Sequence, residues 1–268
     1  MKRVYIDDSW PDSWKYSYQF DLQEVYGEIT NLGYAYAYQT RRQLTLRLLT
    51  EALPPGARVL DVAAAQGNFS LLLAEMGYQV TWNDLREDLA DYVRLKHEYG
   101  DIEYAPGNAF ELNFDDPFDA ILITEIIEHV AHPDMFLSNA AKLVKPGGYI
   151  LMTTPNGAYF NNRLPKFSEC LDPSIHESGQ FKPDSDGHIF LLHPEEVETL
   201  SGRVGLQIEK NILFINPLTN GRRNLGALLK FLPGLTIRSL EVMTQYLPFV
   251  IRKKLMVHIG TRFRKIGD

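Results

Sequence analysis

Between Arg58 and Thr153 short apolar runs alternate with amphipathic stretches. Val59 to Ala65 is an apolar run ending in very small residues. Past Gly67 the spacing is helical from Phe69 to Met76, Gly77 stops it, and Tyr78 to Trp82 follows as a second strand. A helix over about 87–99 leads to a short strand from Ile102 to Ala105. Phe118 to Thr124 is apolar nearly throughout, as expected of a strand buried on both faces. Pro133 opens a helix with Phe136, Ala140 and Leu143 on one side, Lys145-Pro146-Gly147-Gly148 ends it, and Tyr149 to Thr153 makes a fifth strand. Repeated strand-helix-strand units with short connections predict an α/β fold, a doubly wound Rossmann-like sheet that is mostly parallel. Ligands of such sheets lie at the carboxyl ends of the strands.

Outside this region the pattern changes. Residues 1–55 are rich in aromatics (Trp10, Trp14, Tyr34, Tyr36 and Tyr38 among them), with a helix predicted from Tyr34 to Leu53 and ended by Pro54-Pro55-Gly56. They are expected to form a helical cap on a core spanning 56–216. After a sixth strand over 207–214, Leu225, Leu228, Leu229 and Leu232, then Leu240, Met243 and Leu247, recur at helical spacing. These predict a helical insertion over 217–254. Leu255, Val257, Ile259, Thr261 and Phe263 alternate with period two, so 255–268 is expected to hold the last strand and a tail. The stretch from Gly157 to Gly187 is long for a connection and is expected to act as a lid or substrate segment.

Composition is ordinary for a globular chain of 268 residues, with 45% hydrophobic and 23% charged positions. Cys170 is the only cysteine, which excludes an internal disulfide framework and a cysteine-cluster zinc site. With no long apolar run and a polar start from Met1 to Ser13, a cytoplasmic protein is expected. The net charge of −7 opposes a nucleic-acid coat protein. It is unevenly distributed: residues 217–268 hold ten Lys and Arg against Glu241 and Asp268, a net +8 that leaves −15 elsewhere. This basic segment is expected to be a solvated face. Contact with anionic lipid, a sugar-phosphate acceptor or a partner is the alternative. Oligomeric state is not set by the sequence.

Candidate chemistry begins where the first strand ends, at Val59-Leu60-Asp61-Val62-Ala63-Ala64-Ala65-Gln66-Gly67-Asn68-Phe69. A dinucleotide fingerprint would place glycines at 63, 65 and 68, where this chain has Ala, Ala and Asn. The segment instead resembles the first motif of class I S-adenosylmethionine-dependent methyltransferases, hydrophobic-Leu-Asp-x-Gly-x-Gly-x-Gly, with Asp61 and Gly67 matching and Ala63 and Ala65 in place of two glycines. Because alanine disfavours positive φ, either the turn keeps negative φ at both positions or the cofactor pocket is altered. Asp84 ends the second strand. A carboxylate there can accept both hydroxyls of a ribose, its role in the family, or can cap the helix that follows. Gly107-Asn108-Ala109 resembles the family's Gly-Asp-Ala, and the Asn108 amide keeps an acceptor for the adenine amino group.

Glu125-x-x-Glu128-His129-Val130 resembles a segment of the methyltransferases grouped with ubiquinone-biosynthesis O-methyltransferases. Pro133, the Leu-x-Lys-Pro-Gly-Gly stop at 143–148 and Thr154-Pro155-Asn156 continue it in order, and Asp186 to Val197, with His188, resembles the family's Gly-x-His, aromatic, Pro-x-Glu-hydrophobic stretch. The resemblance covers about 56–215. It implies a last antiparallel strand and S-adenosylmethionine as cofactor, held by Asp61, Ala63, Ala65, Gly67, Phe69, Asp84, Leu85, Asn108, Ala109 and Glu125. The expected substrate is a small-molecule methyl acceptor, a hydroxyl of a sugar, quinone-like or natural-product compound, with no nucleic acid. A hydroxyl acceptor needs a base near neutral pKa, and His188 first, then His129, are expected to face it. The spacing Glu125, Glu128, His129, His132 also fits a metal, but Pro133 breaks the helix such a site would need, so none is expected. Pro194 with Glu195 and Glu196 reads as helix capping. Two alternatives remain open: a cofactor-binding module without turnover, motivated by Ala63, Ala65 and Asn108, and a nicotinamide oxidoreductase.

Overall fold

The computed structural model describes residues 1–180, 187–217, 229, 232 and 234–267. Its strands are β1 (Arg58–Val62), β2 (Gln79–Trp82), β3 (Asp101–Tyr104), β4 (Phe118–Thr124), β5 (Val144–Pro155), β6 (Leu206–Phe214) and β7 (His258–Lys265). The described helices are α1 (Asp12–Glu24), α2 (Leu32–Thr50), α3 (Asn68–Glu75), α4 (Leu89–Lys96), α5 (Pro133–Leu143), α6 (Pro194–Arg203), α7 (Gly234–Thr244) and α8 (Phe249–Leu255). The strands form one sheet in the order β3-β2-β1-β4-β5-β7-β6. β1 to β5 pair in parallel, and β7 runs antiparallel between β5 and β6. The predicted doubly wound sheet and its antiparallel last strand are thus present.

Period-two alternation sorts side chains onto two faces. Leu60 and Val62 of β1, with Ile121 and Ile123 of β4, pack under Phe136, Leu137 and Ala140 of α5 and Val197 and Leu200 of α6. On the opposite face Val59, Ala120, Leu122 and Leu151 meet Leu44, Leu48 and Leu49 of α2 and Leu73 of α3. Within residues 1–55, α2 supplies one face of the main core. Aromatic residues of α1 and of the turn before it sit at the edge, where Trp10, Trp14 and Tyr18 cluster with Tyr92 of α4.

That edge also contains buried polar groups. The Lys96 ammonium, fully buried, donates to Asp21 Oδ2 at 2.7 Å and to Asn68 Oδ1 at 2.9 Å. The Asn68 amide donates to Asp21 and to Glu24, and Tyr92 donates to Asp21. This network ties α1 to the first turn of α3 and to the last turn of α4. At α6 the expected capping is observed: Pro194 sits in the first turn and Glu196 Oε2 accepts from the His193 N–H at 2.9 Å. Of the predicted insertion, α7 and α8 are described. The positions 225 and 228 of its apolar stripe, like Asp186, lie outside the described residues. Three of the basic residues, Arg262, Arg264 and Lys265, belong to β7 rather than to the insertion. Arg262 and Arg264 pair with Glu209 of β6, and Lys265 donates to the Val144 carbonyl.

Candidate functional site

A cavity of about 570 Å³ opens at the carboxyl ends of the central strands, where this topology places ligands. Ala63 and Ala65 line it after β1, Asp84, Leu85 and Arg86 after β2, Asn108, Ala109 and Phe110 after β3, and Glu125 and Ile126 after β4. Val130, Met135 and Phe136 supply further apolar wall. Seven of the ten residues expected to hold a cofactor thus converge on one cavity. Asp61, Gly67 and Phe69 do not line it. Asp61 is 1% exposed and accepts from Ser70 Oγ at 2.6 Å. Burial pushes its carboxyl up to about 7 against the hydrogen bonds from Ser70, with the Asp84 charge adding to the rise. Gly67 begins α3 at φ +70°, and a Cβ there would come within 2.8 Å of the Val93 methyls. Phe69 packs beside Tyr38.

The turn after β1 departs from expectation. Ala63 and Ala65 sit at φ +50° and +48°, the left-handed region that alanine avoids. The turn is over-determined by its partners. Ala64 N–H donates to the Asn83 carbonyl at 2.8 Å, Ala65 N–H to Asp84 Oδ2 at 2.8 Å, and the Trp82 indole to the Ala65 carbonyl at 3.1 Å. Alanine therefore takes the glycine conformation, and its two methyls line the cavity without filling it.

Asp84 is 3% exposed and spends its carboxylate locally. Besides the Ala65 N–H, it accepts from the Arg86 N–H at 2.9 Å, from Arg86 Nε at 3.0 Å and from Arg86 Nη2 at 3.2 Å. It does not cap α4, whose N-cap position is Asp88. Asn108 likewise closes a turn, accepting from the Phe110 N–H and donating to Glu111. Asn83, buried and itself part of the cavity wall, donates to the carbonyls of Ala105 and Gly107 and fixes the loop after β3.

A second cavity of about 440 Å³ adjoins the first and is lined by Asn156, Tyr159, Asn162, His188 and His258. Glu125 lines both. It too is held at positive φ, +56°, with its N–H on the Thr153 carbonyl at 2.8 Å. His258 Nε2 lies 3.0 Å and Arg41 Nη1 3.2 Å from Glu125 Oε2. Burial raises the Glu125 carboxyl, but His258 and Arg41 outweigh it and bring it down to about 2. Glu128 behaves oppositely. It is 1% exposed, accepts from Thr154 Oγ1 at 3.1 Å, and is driven well above the usual carboxylate range by burial and by the charge of Glu125.

The two candidate histidines meet across the junction. The rings of His129 and His188 lie edge to face, 4.8 Å between centroids. The Ile189 N–H, bonded to the Glu128 carbonyl at 2.7 Å, fastens the His188 segment there. Glu128, His129 and His188 present ligand atoms within 4.8 Å of one another. The four-residue constellation of the sequence is not reproduced: Ile127–His129 is a short 3₁₀ turn, His132 pairs with Glu177, and Glu125 turns to Arg41 and His258. The sequence carries no signal for Arg41 or His258, since only the fold brings α2 and β7 to the end of β4. Arg86, two positions past Asp84, could have been suspected.

The chain matches the family described as methyltransferase domain over residues 34–211. A ubiquinone biosynthesis O-methyltransferase of Caulobacter vibrioides is 34% identical over 175 residues, 61% of this chain and 65% of that protein. The chain thus spans a little under two thirds of the length of that curated relative. Among solved structures, magnesium protoporphyrin IX methyltransferase from Synechocystis PCC 6803 with bound SAH superposes with a TM-score of 0.56 at 12% identity, over 95% of this chain and 93% of that one. The cyclase SpnF superposes with a TM-score of 0.53 at 18% identity, over 86% and 83%. At these identities both show the fold alone. With residues 34–211 matched and the sheet, the crossing point and the ligand cavity all in place, this chain belongs to the methyltransferase-domain family.

Proposed function

We propose that the protein is an S-adenosylmethionine-dependent methyltransferase that methylates a hydroxyl of a small molecule. The observation that carries this reading is the junction of two cavities at Glu125, His129 and His188. The larger cavity suits the cofactor. Leu85, Ala109, Phe110 and Ile126 offer apolar surface to a purine, and Asp84 is placed for a ribose once the Arg86 guanidinium swings off it. The N–H groups of Ala65 and Arg86 stay in place and keep the carboxylate aimed. S-adenosylmethionine supplies an electrophilic methyl on a sulfonium. Glu125, ionised between Arg41 and His258, puts negative charge where that cation would lie.

Methyl transfer is an in-line displacement, so the protein has to align the partners and exclude water. His188 lines the smaller cavity and takes the acceptor proton, and His129 stands behind it on the cofactor side. Among sugar, quinone-like and natural-product acceptors, the likeness to ubiquinone biosynthesis O-methyltransferases supports a phenolic, quinol-type hydroxyl. A phenol, with a pKa of about 10, also gives its proton to an imidazole far more readily than an alcohol does. Methyl-labelled S-adenosylmethionine incubated with a panel of catechols and hydroquinones tests the reading. Label should move to an oxygen, and His188→Ala should lower kcat about 10²- to 10⁴-fold with cofactor affinity unchanged. Full turnover in that variant would remove His188 as base.

The convergence of Glu128, His129 and His188 favours one second reading, in which the trio holds a divalent cation that polarises the acceptor oxygen. Activity lost on chelation and restored by the cation would support it over a histidine base.

A further inference from the structure

The sequence leaves open what the basic segment does, and the part of it in α8 sits beside an exposed apolar face. In α8, Phe249 and Val250 are 54% and 75% exposed. Tyr246 just before them is 85% and Phe160 beside them 60% exposed. Solvent-facing aromatic and branched side chains adjoining in this way are unusual on a soluble surface. Between them runs an apolar groove of about 370 Å³, lined by Phe160, Val250, Ile251, Lys254 and Leu255. The next three residues after the apolar turn are Arg252, Lys253 and Lys254, with Lys254 exposed. Lys253 pairs with Glu195 at 2.8 Å, so part of the charge is balanced.

This is the arrangement of a surface-seeking segment: rings and branched chains to enter the headgroup layer, cations behind them to meet its phosphates. Arg252, Lys253 and Lys254 put three cations in this one helix on a chain of net −7, and a negatively charged bilayer attracts that face. No helix among the described residues is long and apolar enough to cross a membrane.

We propose that α8 and Phe160 dock the protein on an anionic membrane surface. The docking face is coupled to the smaller cavity. Phe160 N–H donates to the Lys254 carbonyl at 2.9 Å, and the Asn156 amide donates to the carbonyls of Lys253 and Met256 at 2.9 and 2.7 Å. The segment that lines the cavity is thereby bonded to the helix that meets the membrane.

Flotation of the 268-residue chain with vesicles of phosphatidylcholine, and of phosphatidylcholine doped with phosphatidylglycerol, tests this, with size-exclusion chromatography of the same samples. Binding should require phosphatidylglycerol and weaken as salt rises. Lys254→Glu should weaken it by about fivefold or more, and Phe249→Ser with Val250→Ser by more than tenfold. The variants should keep the wild-type melting temperature, because the replaced side chains are exposed. Equal binding to neutral vesicles, no binding to either, or undiminished binding by the folded variants would overturn the proposal. So would a dimer dispersed by Phe249→Ser with no vesicle binding, since the face would then be an interface between two copies.

Discussion

Ala63, Ala65 and Glu125 hold positive φ next to the cavity. Each such residue costs on the order of 1–2 kcal/mol unless it is glycine. Replacing Ala63 with Gly removes that strain, offset by the greater freedom of glycine in the unfolded chain. The expected gain is about 0.5–1 kcal/mol, read as a rise in melting temperature; a fall would mean the methyl contributes more by packing than the turn loses by strain. The Glu125 charge has a sharper readout. S-adenosylmethionine carries a sulfonium and S-adenosylhomocysteine does not, so Glu125→Gln should weaken the first ligand more than the second. A change of about tenfold in their affinity ratio corresponds to ~1.4 kcal/mol, within reach of one charge-assisted contact. An unchanged ratio would detach Glu125 from the sulfonium.

Helices and strands carry a different kind of information. The strand-helix alternation from β1 to β5 is legible because the central strands, β4 above all, are buried and largely apolar and the helices between are punctuated by Gly and Pro. For the same reason Asp84, a lone carboxylate at a strand end, stood out. What alternation cannot show is which distant elements converge. Arg41 in α2 and His258 in β7 reach Glu125 only after the sheet has assembled. Nor could composition reveal that Ala63 and Ala65 keep a glycine-like turn, since the bonds that enforce it come from Trp82 at the end of the neighbouring strand and from Asn83 and Asp84 just past it. The buried Lys96 likewise makes sense only with α1 in place. Its ammonium neutralises Asp21, so Lys96→Ala leaves a carboxylate buried without its cation. A loss of about 3–5 kcal/mol in denaturant unfolding is expected. A loss under 1 kcal/mol, the range of a surface pair, would show that water reaches Asp21.

The molecule as a whole places two cavities on one end of its sheet and a basic, apolar helix beside the smaller one. Fold alone does not dictate the reaction, since a cyclase shares it. The account therefore stands or falls on the larger cavity taking a nucleoside against Asp84. Calorimetric titration of S-adenosylhomocysteine into the wild-type chain, Asp84→Ala and Arg86→Ala decides it. Saturable one-to-one binding is expected for the wild type. Asp84→Ala should lose about 1.5–3 kcal/mol, or 10- to 150-fold in affinity. Arg86→Ala should bind more tightly, because the guanidinium no longer competes for the carboxylate. Heat of dilution alone in the wild type, or one affinity shared by all three proteins, would contradict the account.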